Sequence, residues 1–277
     1  MLYKTRNIVV FLGLLIVSTP LFSQEKKDTV KHKILLVPFK PTMLMSEIGK
    51  AVNSSTHLSY TKITEAFRSS LDLALYTTFR QSYTATSLIQ TPKKGDTTLA
   101  YTYASVGYKF DLQPGDSSGE SHAEFDKNQQ KNHFIKNGQL QVPMDHSKRF
   151  MNVDLINPKL LPFLYKKYGA DIFIFINELD IRNVANTESE DLTASNFRRQ
   201  VTVQYSIVNA QKQYLAEGIL TTYFPSNVND PKVIGEKYFT LIAQDMVKEL
   251  NKGLLKLEQA KGKKTTTSHI KTLSNTN

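Results

Sequence analysis

The chain has 277 residues, 40% of them hydrophobic, and 35 Lys and Arg against 25 Asp and Glu give a net charge of +10. Without cysteine it can hold no disulfide, thiolate metal site, iron–sulfur cluster, cysteine nucleophile or cysteine-linked lipid. The composition is that of a globular protein and excludes a collagen, a disulfide-stapled mini-protein and a wholly disordered chain.

Residues 1–23 read as a secretory signal peptide. Lys4 and Arg6 form its positive start, and Ser18, Thr19, Pro20 and Ser23 its small, polar exit. Between them Ile8 to Val17 is a ten-residue apolar run, too short for the ~30 Å hydrocarbon core that a spanning helix must cross. This argues for a cleaved leader over an uncleaved anchor. Cleavage is expected after Ser23, leaving 254 residues with a charge of +8. The LFSQ ending resembles signal peptides of Bacteroidota. A lipoprotein would need a Cys at the cut, and none is present. No later segment approaches the ~18 consecutive apolar residues of a membrane span. The mature protein is therefore expected in the periplasm or at the outer-membrane periphery.

Lys33 to Phe39 (KILLVPF) is a short apolar run stopped by Pro38 and Pro41, as in a strand buried on both faces. Lys40 to Tyr60 reads as a loop. Thr61 to Arg80 is predicted helical: Ile63, Phe67, Leu71, Leu75 and Phe79 recur every four residues, and Ser59 or Thr61 is placed to cap it. Gln81 to Gly95 reads as loop, and Leu99 to Phe110 alternates aromatic and small residues like an edge or hairpin strand. Asp111 to Met144 is polar, with too few apolar side chains to offset the entropy of ordering, apart from a weak strand at Gln139 to Val142.

Met151 to Ile156 is a strand candidate. Pro158 is placed to open a short helix with Leu160, Leu161 and Leu164 inward and Gly169 at its end. Asp171 to Ile176 (DIFIFI) is a second strand buried on both faces, and Asn183 to Asn196 a polar loop. Phe197 to Val208 and Gln213 to Phe224 form a hairpin, with Val201, Val203, Tyr205 and Ile207 on one face and Leu215, Ile219 and Tyr223 sharing a face of the return strand. Pro231 to about Leu257 is a long amphipathic helix, and the Lys/Thr/Ser tail from about residue 261 to 277 is expected to be disordered.

The order is that of an α/β protein: a mixed sheet of about four to five strands with two or three packed helices. The expected organisation is a single domain over 24–260, with a partly disordered polar insertion at about 81–150.

Catalytic patterns are weak. Ser59-Tyr60-Thr61-Lys62 matches S-x-x-K at a helix start, but the chain has no K-T-G, K-S-G or S-D-N, so a helix cap and a surface lysine explain it better. His122-Ala123-Glu124 imitates the H-x-E of zinc deaminases, which also need cysteines. His122, His133 and His146, with Glu124, Asp126 and Asp145, fall in the polar stretch at spacings that match no zinc pattern. Neither a metal nor a cofactor is expected. No phosphate-loop, dinucleotide, G-x-S-x-G or H-E-x-x-H motif occurs.

Glu178 and Asp180 lie two apart just beyond DIFIFI. If the strand continues they share a face with Arg182, near the end of a central strand where α/β sheets favour sites. They are candidate ligand-binding or acid–base carboxylates, set against an ordinary surface ion pair. Met43, Leu44 and Met45 put three large apolar side chains in the predicted loop, suited to adaptable protein contacts or to burial. Basic residues cluster at Arg198-Arg199 and in the tail at Lys256, Lys261, Lys263, Lys264 and Lys271. The tail is a candidate for electrostatic contact with anionic lipid or wall polymer. Nucleic acid is not expected, since no aromatic platform interleaves the basic runs.

Several segments together resemble a superfamily that includes the TolB amino-terminal domain, the curli secretion channel subunit CsgG and the LpoB-like activators of penicillin-binding proteins. Val37-Pro38-Phe39 matches its opening "V-x-P-F" strand. Gly169-Ala170-Asp171 matches its "G-A-D" entry into an apolar strand, and the hairpin 201–220 matches loosely, with Asn209 in place of the usual turn Asp. The resemblance implies an anticodon-binding-domain-like α/β fold and a non-catalytic envelope protein that works by binding other proteins. The expected function is that of an exported adaptor or assembly accessory, with the hairpin 197–224 and the segment 40–60 as contact surfaces. The competing expectation is a periplasmic small-ligand binder or hydrolase using Glu178 and Asp180.

Overall fold

The computed structural model describes residues 32–91, 96–112, 134–136, 139–141, 149–185 and 197–274. The leader, the histidines at 122, 133 and 146, and Glu124, Asp126 and Asp145 lie outside the described residues.

The two apolar runs become the middle of a mixed sheet. β1 (Lys33–Val37) pairs in parallel with the first half of β8 (Ile172–Ala185), from Ile34 opposite Ile172 to Val37 opposite Phe175. β3 (Thr84–Ser87) pairs in parallel on the other side of β1. The predicted hairpin completes the sheet: β9 (Phe197–Asn209) runs antiparallel to β8, and β10 (Tyr214–Pro225) antiparallel to β9. The strand order is β10-β9-β8-β1-β3. Val37-Pro38-Phe39 ends β1, where a proline can no longer donate to the ladder.

Helices cover one face. α2 (Tyr60–Phe79) carries the expected stripe of Ile63, Phe67, Leu71, Leu75 and Phe79 into this core, and the Ser59 hydroxyl caps it by accepting from the Lys62 amide. α5 (Pro231–Ile234), a π-helical turn (Gly235–Phe239) and α6 (Thr240–Ser274) run as one rod beside it, burying Ile234, Phe239, Ile242, Met246 and Leu250. Each such side chain contributes about 2 kcal/mol over leaving it in water.

The opposite face is covered differently. α4 (Leu160–Tyr168) buries Leu160, Leu161 and Leu164 against Leu35, Val37, Phe173 and Phe175, and Gly169 ends it in a left-handed conformation at φ 66°. Beside it lie α3 (Thr98–Ser105) and a ribbon in which β4 (Gly107–Leu112) runs antiparallel to β7 (Arg149–Asp154). β5 (Phe134–Lys136) and β6 (Gln139–Gln141) form a separate antiparallel pair.

The structure corrects several expectations. The predicted loop 40–60 contains a 3-10 turn (Pro41–Met43), the short strand β2 (Leu44–Ser46) and the helix α1 (Gly49–Thr56). β2 pairs with the second half of β8, making a sixth strand of the main sheet. The stretch 81–95 contains β3. The predicted strand Leu99 to Phe110 is α3 followed by β4, because its aromatic spacing fits a short helix resting on the sheet as well as a strand. α6 continues to Ser274 where a structureless tail was expected: no proline interrupts it, and each added residue propagates an existing helix.

The return strand is also corrected. A bulge between Tyr214 and Ala216 shifts the register, so Leu215 packs with Ala216 and Leu220 against the helix-side core, while Ile219 falls on the other face.

Candidate functional site

A one-residue bulge decides where the Glu178–Arg182 segment points. Ile172, Ile174 and Ile176 face the helices, and Phe173 and Phe175 face α4. The pairing with β9 slips between Ile176 and Glu178, leaving Asn177 as the extra residue. After it Leu179 and Ile181 face the helices instead. Glu178, Asp180 and Arg182 are thereby turned onto the face that carries the β4–β7 ribbon. Without the bulge they would enter the helix-side core.

Asn177 is wholly buried and fastens the bulge to its surroundings. Its amide nitrogen donates to the Met151 carbonyl and to the Ser206 hydroxyl, each at 2.8 Å. Ser206 in turn donates to Asn152 Oδ1 at 2.5 Å and accepts from the Val153 amide at 3.1 Å. Asn152 passes its own amide protons to Asp111 at 2.8 Å and to Glu217 at 2.7 Å. Burial raises the Glu217 carboxyl above its ordinary value, and the Asn152 bond opposes that shift. This polar network anchors β7 across β8, β9 and β10.

Beyond the ribbon the sheet face opens into a groove of about 680 Å³. Its floor is Glu178, Asp180 and Arg182 from β8 with Gln200, Thr202 and Gln204 from β9. Ile219 and Thr221 of β10 form one side, and Met45, Phe110 and Arg149 approach from β2 and the ribbon.

The three candidate residues on β8 therefore do meet on one face. Glu178 Oε1 accepts from Gln204 Nε2 at 2.8 Å, and Gln204 Oε1 accepts from the Met151 amide, so the ribbon sets the position of this carboxylate. Asp180 is 7% exposed and pairs with Arg182 Nε at 2.5 Å. Burial raises the Asp180 carboxyl above its ordinary value; the Arg182 guanidinium opposes the shift and the Glu47 carboxylate adds to it.

The other candidates separate. Met45 is exposed and reaches the groove, whereas Met43 and Leu44 pack against the helix-side core. Arg198 and Arg199 do not form one basic patch, because neighbouring strand residues point to opposite faces. Arg198 stacks 3.9 Å above the Tyr223 ring. Arg199 is buried at 3% exposure, stacks over Phe224 and donates to the Val228 carbonyl at 2.5 Å. Ser59 and Lys62 are a cap and a surface lysine paired with Glu65, as the simpler interpretation of S-x-x-K requires.

Phe110, Arg149 and Gln204 join the groove without having been singled out in the sequence. Gln204 carries a signal of sorts, as a polar residue in an alternating strand. Phe110 and Arg149 carry none, because the pairing that brings 107–112 to 149–154 is non-local.

The lining offers carboxylates, guanidinium groups, amides, threonine hydroxyls and apolar side chains. Among the described lining residues there is no His, Lys, Ser or Cys to make a nucleophile–base pair. Among the described residues no group of His, Cys, Asp and Glu could hold a metal ion, and no helix is long and apolar enough to cross a membrane.

No known family model and no curated protein matches the chain. Among solved structures, lipoprotein GNA1162 from Neisseria meningitidis aligns over 78% of this chain and 98% of its own, at 12% identity and a TM-score of 0.28. A likeness of that degree carries no argument about function.

Proposed function

We propose that this is an exported cell-envelope protein that acts by binding another polypeptide, as an adaptor or assembly accessory. The observation that carries the reading is the outer edge of β10. This strand is twelve residues long, and among the described residues no strand pairs with its free side. Exposed edges of this kind are usually blunted by lysine, proline or a bulge. Here the bulge and Pro225 sit at the two ends, and the six residues Ile219–Phe224 (ILTTYF) between them carry no charge and no proline.

The pairing geometry identifies the free groups. The Asn209 amide bonds Gln213 and the Ala210 amide bonds Asp171, so odd-numbered residues of β9 face β10 and even-numbered ones face β8. Their β10 partners are Ala216, Gly218, Leu220 and Thr222. The backbone groups of Glu217, Ile219, Thr221 and Tyr223 thus point outward, available to an incoming strand. Ile219 and Thr221 also line the groove, so a strand added at this edge lays alternate side chains beside it. The leader-like segment 1–23 and the resemblance to envelope binding domains support the same reading.

The second reading, a small-ligand binder or hydrolase, is favoured by Glu178 and Asp180 opening on one groove. The two are separated by crosslinked capture from the source organism's envelope, with residues 24–277 as bait. The bait is compared with Thr221→Pro, which removes one outward N–H without touching the β9 ladder, and with a chain ending before Gly262. The expected result is one stoichiometric partner, kept by the truncated chain and lost by folded Thr221→Pro. Capture that ignores Thr221→Pro, or that vanishes with the tail, overturns the edge-binding reading. A blank capture shifts weight to the ligand reading, tested next with Glu178→Gln and Asp180→Asn.

A further inference from the structure

We infer that the outer face of α3 and α4 docks on an anionic lipid headgroup layer, with aromatic side chains entering the interface and lysines meeting the phosphates. This surface lies apart from β10 and its groove.

The two helices are clasped side by side. Tyr101 of α3 meets Phe163 of α4 edge-on at 5.0 Å between ring centroids. At one end Lys167 pairs with Asp96 at 2.7 Å, and at the other the Asn157 amide nitrogen bonds the Tyr101 hydroxyl at 2.9 Å. Both rings remain more than a third exposed, and Lys159 and Lys166, four and three residues from Phe163, share its face of α4. Scattered apolar exposure is ordinary, but these two rings meet across one pair of helices with lysines beside them.

The charge carried by the two helices has one sign. Neither α3 (TLAYTYAS) nor α4 (LLPFLYKKY) contains an acidic residue. Lys159 and Lys166 are exposed, and neither is in an ion pair among the described residues. Lys33 comes beside Gly169 at the end of α4, and Lys212 stands exposed at the tip of the β9–β10 turn, which bonds back to Asp171. Of the adjoining carboxylates, Asp96 is taken by Lys167, Thr98 and Tyr168, and Asp171 by His32 and the Lys33 amide. Asp154, at the end of β7, is the exposed one.

Lysines interleaved with tyrosine and phenylalanine suit a headgroup layer. The ring settles at the acyl boundary while the ammonium stays with the phosphates. Unneutralised ammonium groups on one face make the partner anionic, and the exposed aromatics give it an apolar depth that a purely electrostatic partner would not use.

The test is co-sedimentation of residues 24–277 with vesicles of phosphatidylcholine, and with vesicles in which about a third is replaced by phosphatidylglycerol. Binding is expected only to the anionic vesicles and is expected to be lost in ~1 M salt. Lys159→Gln with Lys166→Gln should weaken it roughly 30-fold, at about a factor of five per lysine. Tyr101→Ser with Phe163→Ser should weaken it roughly tenfold. A chain carrying Gln at Lys261, Lys263, Lys264 and Lys271 should bind as the parent does. Circular dichroism verifies that each variant is folded. Equal binding to both vesicle types, no binding to either, full binding by the folded Lys159/Lys166 variant, or loss confined to the tail variant each overturns the proposal.

Discussion

The Asn177 amide nitrogen lies 2.8 Å from the Ser206 hydroxyl, and this bond ties the extra residue of β8 to β9 beneath the ribbon. The same nitrogen holds the Met151 carbonyl at 2.8 Å. One buried amide therefore fixes both the direction of the Glu178–Arg182 face and the seat of β7.

Asn177→Ala removes both bonds and strands the buried Met151 carbonyl, while Ser206 keeps its bonds to Asn152 and Val153. The expected loss is about 2 kcal/mol or more in urea unfolding, with faster amide exchange at Met151 and Val153. Lys62→Ala, which breaks an exposed pair with Glu65, should cost less than ~0.5 kcal/mol. If the two variants cost the same, the network does not support the bulge.

Asp72 gives stability a pH dependence. It is 2% exposed, and Ser87 donates to it at 2.5 Å. Burial lifts its carboxyl from 3.8 to about 6, while bonds from Ser87 and Gln90 and the nearby Arg68 charge oppose the rise. A raised carboxyl favours the fold most where it is protonated in both states. Its contribution is present below the unfolded value of 3.8 and lost as pH rises through the folded value of about 6. The loss is at most about 3 kcal/mol. Asp72→Asn, which can still accept from Ser87, should flatten urea stability against pH in that window. An unchanged slope would show that Asp72 is not its source.

Two glycines predict unequal costs. Gly169 sits at φ 66°, and an added Cβ meets only the flexible Lys33 Nζ at 3.5 Å. Gly169→Ala should therefore cost about 1 kcal/mol, from backbone strain alone. In α6 a Cβ on Gly253 would fall 2.0 Å from the Leu215 carbonyl oxygen at the start of β10. Gly253→Ala gains about 1 kcal/mol in helix propensity yet should lose about 2 kcal/mol net, because backbone must move. Thermal unfolding ranks the pair, and a Gly253→Ala variant as stable as the parent would deny the close packing of α6 on β10.

Arg182→Ala removes the cation that opposes the upward shift of Asp180. The carboxyl rises further in the folded state, so the variant should lose more stability than the parent as pH climbs above the ordinary carboxylate range. Asp180→Asn should abolish the difference. Melting temperatures across that rise in pH measure it, and parallel curves for parent and variant would mean that the pair contributes nothing.

Much of the frame was legible in the sequence because it rests on local chemistry. ILLV (34–37) and IFIFI (172–176) are apolar at every position, and only a strand covered on both faces accommodates that. The four-residue spacing in α2, the Ser59 cap, the Gly169 stop and the alternation of β9 each act within a few residues, so pattern alone located them. Short elements held by distant partners were not legible. β2 exists because Leu44 to Ser46 finds the free half of β8, and β3 because Thr84 to Ser87 finds β1; of the strand expected over Leu99 to Phe110 only the end, in β4, pairs with β7.

The candidate site divides along the same line. Sequence alone determined that Glu178, Asp180 and Arg182 share one face of a strand, since side chains alternate with a period of two. It could not say which face, because a strict period would have sent them toward the helices with Ile174 and Ile176. Tertiary structure decided that, by lodging Asn177 as a bulge whose amide nitrogen donates to Met151 and Ser206, residues of two other strands.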